Sequence, residues 1–176
     1  HLPTETVASF GADVPVAPPI VTRAEWGADR SCKPRAKSVY GEVAAAVVHH
    51  TVSTNSYSRE EAASVVLGVC RYHRNSNGWN DIGYNILIDR FGTIYEGRSG
   101  GVDRAVVGAH AQGYNGQTAG ISLVGTFTAS APPAAMLDSL QTVLKWKLAL
   151  AGRTADAAHP RRSRGYPTGC GPVGRA

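Results

Sequence analysis

Apolar positions along the chain follow two periods. The run from Ala44 to Val48 is continuous, small and β-branched, and it closes on His49, His50 and Thr51. A run of this kind over 43–50 reads as a strand buried on both faces. Ala62, Val65, Val66, Val69, Cys70 and His73 instead recur at helical spacing. They predict an amphipathic helix over 59–74, opened by a Ser58/Glu61 capping box and stopped by Asn75-Ser76-Asn77-Gly78. Two short apolar stretches, Tyr84 to Asp89 and Thr93 to Arg98, flank Arg90-Phe91-Gly92 and read as a β-hairpin. A Gly-rich loop over 97–117 leads to a second buried strand from Gly120 to Phe127. Pro132 and Pro133 open another long helix through about Leu150, ended by Gly152. Near the start, Thr22 and Glu25 form a capping box for a short helical turn that Trp26 anchors. Strands alternate with helices around one hairpin. The expected fold class is therefore α/β, with a central mixed β-sheet flanked by helices.

The ends differ from the middle. Residues 1–21 carry Pro3, Pro15, Pro18 and Pro19 and read as an extended arm. The domain is expected over 22–176, with a tail over 153–176 that is rich in Arg, Gly and Pro and has no apolar period. Structure in that tail would need something other than a core to hold it. The chain opens on His1, with no leader-like segment after it, as expected of a processed form.

At 176 residues the chain is long enough for one domain with a real core. No apolar run reaches the length of a membrane span. The net charge is +5. The basic residues are not interleaved with aromatics, so nucleic acid is not the partner suggested; an anionic polymer such as a bacterial cell wall suits the charge better. The three cysteines, Cys32, Cys70 and Cys170, make an odd count. In a secreted protein the natural partition is one disulfide and one free thiolate. The chemistry centres on His49 and His50. A strand that ends in imidazoles carries nitrogen ligands, or a proton carrier, to the rim of a sheet. The plainer alternative is one satisfied core histidine and one facing solvent.

Six stretches taken in order carry a resemblance: TRAEWGA at 22–28, VVHHT at 47–51, WNDIGYNILID at 79–89, GTIYEGR at 92–98, VVGAHAQGYN at 106–115 and GISLVGTF at 120–127. The chain resembles the peptidoglycan recognition protein and type 2 N-acetylmuramoyl-L-alanine amidase family, most of all its secreted actinobacterial members. The resemblance implies a mixed sheet under a groove that holds glycan and stem peptide. It also implies one Zn2+ held by two histidines and a cysteine, or an aspartate in some branches, and cleavage of the amide between the lactyl group of N-acetylmuramic acid and L-alanine. His49 matches the first ligand, and Tyr84 matches the tyrosine beside the metal. The family's usual terminal Gly-His-Arg-Asp run is absent here. Cys170 stands in a Thr-Gly-Cys-Gly-Pro context, and His159 lies eleven residues before it. The family spacing lands on Arg161 or Arg162, whose guanidinium stays protonated and cannot ligate zinc. Either the tail is altered or the site is rebuilt with His159.

The site expected on these grounds has His49, His159 and Cys170 as zinc ligands and Tyr84 as the catalytic residue beside them. His50, His110, Tyr114 and Asn115 are expected at the substrate, with His50 also supporting His49. Cys32 and Cys70 are the expected disulfide, leaving Cys170 as a thiolate. Asn80 and Asp81 are given a turn role, and His73 a packing role. The implied function is a secreted, cell-wall-associated, monomeric zinc amidase acting on peptidoglycan. The alternative is a peptidoglycan-binding module with an incomplete metal site. A third idea, a carbohydrate-active enzyme using Asp89 and Glu96, lacks anything that pairs the two carboxylates across a groove.

Overall fold

The computed structural model describes residues 14–154. Its elements are β1 (Ile20–Val21), α1 (Ala28–Ser31), β2 (Ala45–His50), α2 (Ala62–Asn75), β3 (Ile86–Ile88), β4 (Ile94–Glu96), β5 (Thr118–Leu123) and α3 (Ala134–Ala149). The strands form one mixed sheet in the order β1-β4-β3-β5-β2. Only the β3/β4 hairpin is antiparallel; β1/β4, β3/β5 and β5/β2 run parallel.

Alternation along β3 divides the core in two. Ile86 and Ile88, with Ile94, Ile121 and Leu123, face Met136, Val143 and Trp146 of α3. Leu87 and Tyr95 face the other way, toward Val66 and Cys70 of α2 and toward Trp26. Helices thus cover both faces, as the alternation of elements implies.

Local signals set most boundaries. Ser58 N–H donates to Glu61 Oε2 at 2.8 Å, and Glu61 N–H donates to Ser58 Oγ at 3.3 Å. The capping box is made, and regular α-helix begins just after it. Thr22 and Glu25 close the first box, with Thr22 N–H donating to Glu25 Oε2 at 2.6 Å. Trp26 is buried and its indole N–H donates to Glu96 O at 2.8 Å, so the turn is anchored in the sheet. In the hairpin, Asp89 Oδ1 accepts the N–H groups of Phe91 and Thr93, and Gly92 takes φ +84°, where a side chain would be strained. Pro133 O accepts from Met136 and Leu137 to start α3, and Gly152 at φ +65° ends it.

Three expectations are corrected. The strand over 43–50 is not buried on both faces. Among the described residues β2 is an edge strand, as β1 is at the other side, and Val48 is 43% exposed. Small Ala and Val side chains bury little area wherever they sit, so a continuous apolar run does not distinguish an inner strand from an edge. The doubly covered strands are β3 and β5. Second, Ile20 and Val21, read as the end of the arm, pair with Ile94 and Tyr95 as β1. Third, β5 starts at Thr118 and ends at Leu123, earlier at both ends than the 120–127 expected. Gly125, at φ +139°, turns the chain away after it.

Cys32 and Cys70 are joined by a disulfide, with Cα atoms 6.3 Å apart, that ties the end of α1 to α2. Beside it the buried Asp81 carboxylate pairs with Arg23 at 3.2 Å and accepts the N–H groups of Ile82 and Ser99. Asp81 is therefore more than a turn residue: it knits three segments together under the site.

Candidate functional site

In the parallel register His49 lies beside Ser122, and Ser122 beside Leu87. The three share the face that carries α2. His50 shares register with Leu123 and Ile88, on the α3 face. Adjacent residues of a strand point to opposite sides, so the two histidines part company. His50 Nδ1 accepts the N–H of Phe127 at 2.8 Å and holds the chain after β5. It stands on the opposite face of the sheet from His49.

The partner that His49 does meet comes from the Gly-rich loop. His49 Nε2 lies 3.0 Å from His110 Nδ1, across 61 residues of sequence. The His110 ring lies flat over the backbone of β5. A Cβ on Gly120 would come within 2.4 Å of that ring, and one on Gly108 within 2.6 Å. Both positions must therefore lack a side chain for the ring to sit there. Asn115 Oδ1 accepts the N–H groups of His110 and Ala111 at 2.8 and 2.9 Å, fixing the loop.

Tyr84 enters from the residues just before β3. Its ring centroid is 5.6 Å from that of His49 and 5.3 Å from that of His73. His73, in the last turn of α2, packs against Trp79 at 4.7 Å and accepts the N–H of Gly83 on Nδ1 at 3.1 Å. The result is a continuous set of rings, Trp79, His73, Tyr84, His49 and His110. A groove of about 410 Å³ adjoins this set, lined by its Trp79, Tyr84 and His110 and by Gln112 and Asn115. A larger hollow of about 540 Å³, between β1, the hairpin turn and α3, is lined by no histidine and lies away from this chemistry.

Burial sets the charge state of the imidazoles. It holds His49 below its usual value, and the neighbouring His50 adds to the effect. Burial and then His49 push His110 down to about 4. Burial and then Arg98 push His73 down to about 4 as well. His73 and His110 are neutral at pH 7, and His49 is biased the same way. Neutral imidazole is the form that ligates a metal.

Among the described residues the donor chemistry fits one ligand of a tetrahedral zinc site. His49 brings a neutral-leaning imidazole to the strand exit, held against His110 and beside a buried Ser122 hydroxyl that has no hydrogen-bond partner among the described residues. His159 and Cys170 lie outside the described residues. Among the described residues the one cluster of three potential metal ligands is Cys32, Cys70 and Asp81. Its two sulfurs are bonded to each other and have no thiolate to give.

Of the remaining expected residues, Tyr114 is half-exposed, and its carbonyl accepts from Thr118 Oγ1 at 2.8 Å. Asn115 lines the groove, with its side-chain oxygen committed to the loop backbone. Asp89 and Glu96 are tied into the hairpin: Asp89 Oδ2 accepts from the Tyr95 hydroxyl, and Glu96 Oε2 accepts from the Arg23 N–H. Trp79, Gly120 and Ser122 were missed as site residues. WNDIGY and GISLV carry them in plain view, but only the fold shows that they meet.

Comparison with known proteins agrees with this geometry. The family model for N-acetylmuramoyl-L-alanine amidase matches residues 39–166. Peptidoglycan-recognition protein SC2 of Drosophila simulans is 31% identical over 135 residues, covering 77% of this chain and 70% of that protein. Among solved structures, peptidoglycan recognition protein-LE in complex with tracheal cytotoxin, a monomeric diaminopimelic acid-type peptidoglycan, aligns with TM-score 0.64 at 34% identity. That alignment covers 71% of each chain. The ectodomain complex of peptidoglycan recognition proteins LCa and LCx with tracheal cytotoxin aligns with TM-score 0.66 at 36% identity, over 77% of this chain and 79% of that one. The chain belongs to the peptidoglycan recognition protein and type 2 N-acetylmuramoyl-L-alanine amidase family.

Proposed function

We propose that this protein is a zinc-dependent N-acetylmuramoyl-L-alanine amidase that hydrolyses the lactyl–L-alanine amide of peptidoglycan. The observation that carries this reading is the pair of half-buried, neutral-leaning imidazoles of His49 and His110, 3.0 Å apart at the strand exit beside Tyr84. The relatives solved with tracheal cytotoxin support peptidoglycan as the ligand class. The Cys32–Cys70 disulfide supports an oxidising, extracellular setting at the cell wall.

In this reading His49 is the first zinc ligand, and His159 and Cys170 complete the set of three protein ligands. The chemistry the ion supplies is activation of water near neutral pH and polarisation of the scissile carbonyl. The Tyr84 hydroxyl donates to the oxyanion as the amide carbon becomes tetrahedral. Its ring is braced by His73 behind it, which limits how far the hydroxyl can stray. Trp79 and Gln112 line the groove on the approach to that point. Tyr114 offers an exposed aromatic face to sugar.

A second reading has its own observation. Among the described residues the donors that converge on this spot are the two imidazoles. A protein with that set alone would bind peptidoglycan and not cut it. Incubation of purified full chain with peptidoglycan, with and without a chelator, separates the two. The amidase reading expects chelator-sensitive release of stem peptide. Binding without release, at saturating zinc, overturns it in favour of the module.

A further inference from the structure

Each nitrogen of His110 has a partner, and the partners dictate where its proton sits. Thr118 Oγ1 donates its own proton to Tyr114 O at 2.8 Å. Toward His110 that hydroxyl is therefore an acceptor. The Thr118 carbonyl, at 3.5 Å from His110 Nε2, can only accept, and Oγ1 stands 3.4 Å from the same nitrogen. Two acceptors facing Nε2, at long hydrogen-bond range, favour the hydrogen on Nε2. A neutral imidazole carries one proton, so His110 Nδ1 bears a lone pair. That lone pair faces His49 Nε2 at 3.0 Å, which must then be the N–H donor. The remaining nitrogen, His49 Nδ1, holds the lone pair, and among the described residues it has no hydrogen-bond partner.

We propose that His110 is a positioning residue: through Tyr114, Thr118 and His110 the loop over 109–118 sets His49 as its Nε2–H tautomer and presents the His49 Nδ1 lone pair to a metal ion. The metal part of the inference rests on the reading of His49 as a ligand; the tautomer part does not. The bare glycines support it. Gly108 and Gly120 leave room for the His110 ring against the sheet, within reach of His49. Outer partners of this kind fix ring orientation and raise ligand basicity. His110 thereby changes from a substrate contact to a group acting through His49.

The test uses full-length protein labelled with nitrogen-15, metal-free, at pH 7.5. Long-range proton–nitrogen correlation reads the tautomer of each imidazole. The expected result is Nε2–H for both His49 and His110. Nδ1–H at His49, or an even mixture, overturns the proposal whether or not the protein binds zinc. Two variants then separate positioning from packing. His110→Leu removes the acceptor, and zinc affinity should fall about 10- to 100-fold while His49 loses its single tautomer. His110→Asn returns an oxygen acceptor near the place of Nδ1 and should recover most of both. Equal loss in Leu and Asn variants means that His110 only fills space, and the proposal fails. If the unmutated protein shows the Nε2–H tautomer yet takes up no zinc, the relay stands and the amidase reading falls.

Discussion

His73 Nδ1 accepts the backbone N–H of Gly83 at 3.1 Å, so the last turn of α2 is fastened to the residue before Tyr84. The helix that carries one half of the disulfide thus also sets where the Tyr84 ring enters the groove. A neutral His73 is required for that bond, because the protonated ring has no acceptor.

This gives a pH dependence with a definite sign. His73 is only 7% exposed, and burial followed by Arg98 lowers its folded-state pKa to about 4. Between pH 4 and about 6.5 the unfolded chain binds a proton that the folded chain does not, so stability rises with pH. The contribution is complete above about pH 6.5 and is lost as pH falls toward 4, on the order of 2–3 kcal/mol. Urea unfolding midpoints should fall from pH 7 to 4.5. His73→Asn, which can keep an acceptor without titrating, should make that fall shallower. An identical pH profile in the variant would contradict this assignment.

Tyr84→Phe keeps the ring that packs on His49 and His73 and removes only the hydroxyl. We expect zinc content to be unchanged while turnover drops about 100-fold or more, the usual cost of losing one oxyanion donor. Loss of zinc, or undiminished turnover, would each remove Tyr84 from the role given to it.

The Cys32–Cys70 bond closes a loop with a sequence separation of 38. Loop entropy puts its contribution at about 4 kcal/mol. Replacing both residues with alanine should lower unfolding free energy by an amount of that order, and non-reduced peptide mapping of the native protein should recover the cross-linked pair. Three alkylatable thiols in the native protein would show that the bond is not formed in solution.

What could be read from the sequence was mostly local. The two capping boxes, the Asp89–Gly92 hairpin turn and the Pro133 and Gly152 limits of α3 are each made within a few residues, so their side chains announce them. His49 at a strand exit was legible for the same reason. The edge position of β2 was not, because strand order depends on pairings across the sheet and Ala and Val suit either place. Nor was the separation of His49 from His50: alternation predicts opposite faces, but the double histidine invites reading them as one unit. The His49–His110 contact was hidden most deeply. It joins an edge strand to a loop, and its enabling residues, Gly108 and Gly120, act by having no side chain.

Metal quantification on purified full chain, paired with stem-peptide release from peptidoglycan, tests whether His49 anchors a catalytic zinc. We expect about one zinc per chain. His49→Ala should stay folded, because His49 stands near the end of an edge strand, and should lose both metal and activity. His159→Ala should match it if His159 is the second histidine ligand. An unmutated protein that binds peptidoglycan but no zinc, or a His49→Ala variant that keeps metal and turnover, would show that His49 does not anchor a catalytic zinc.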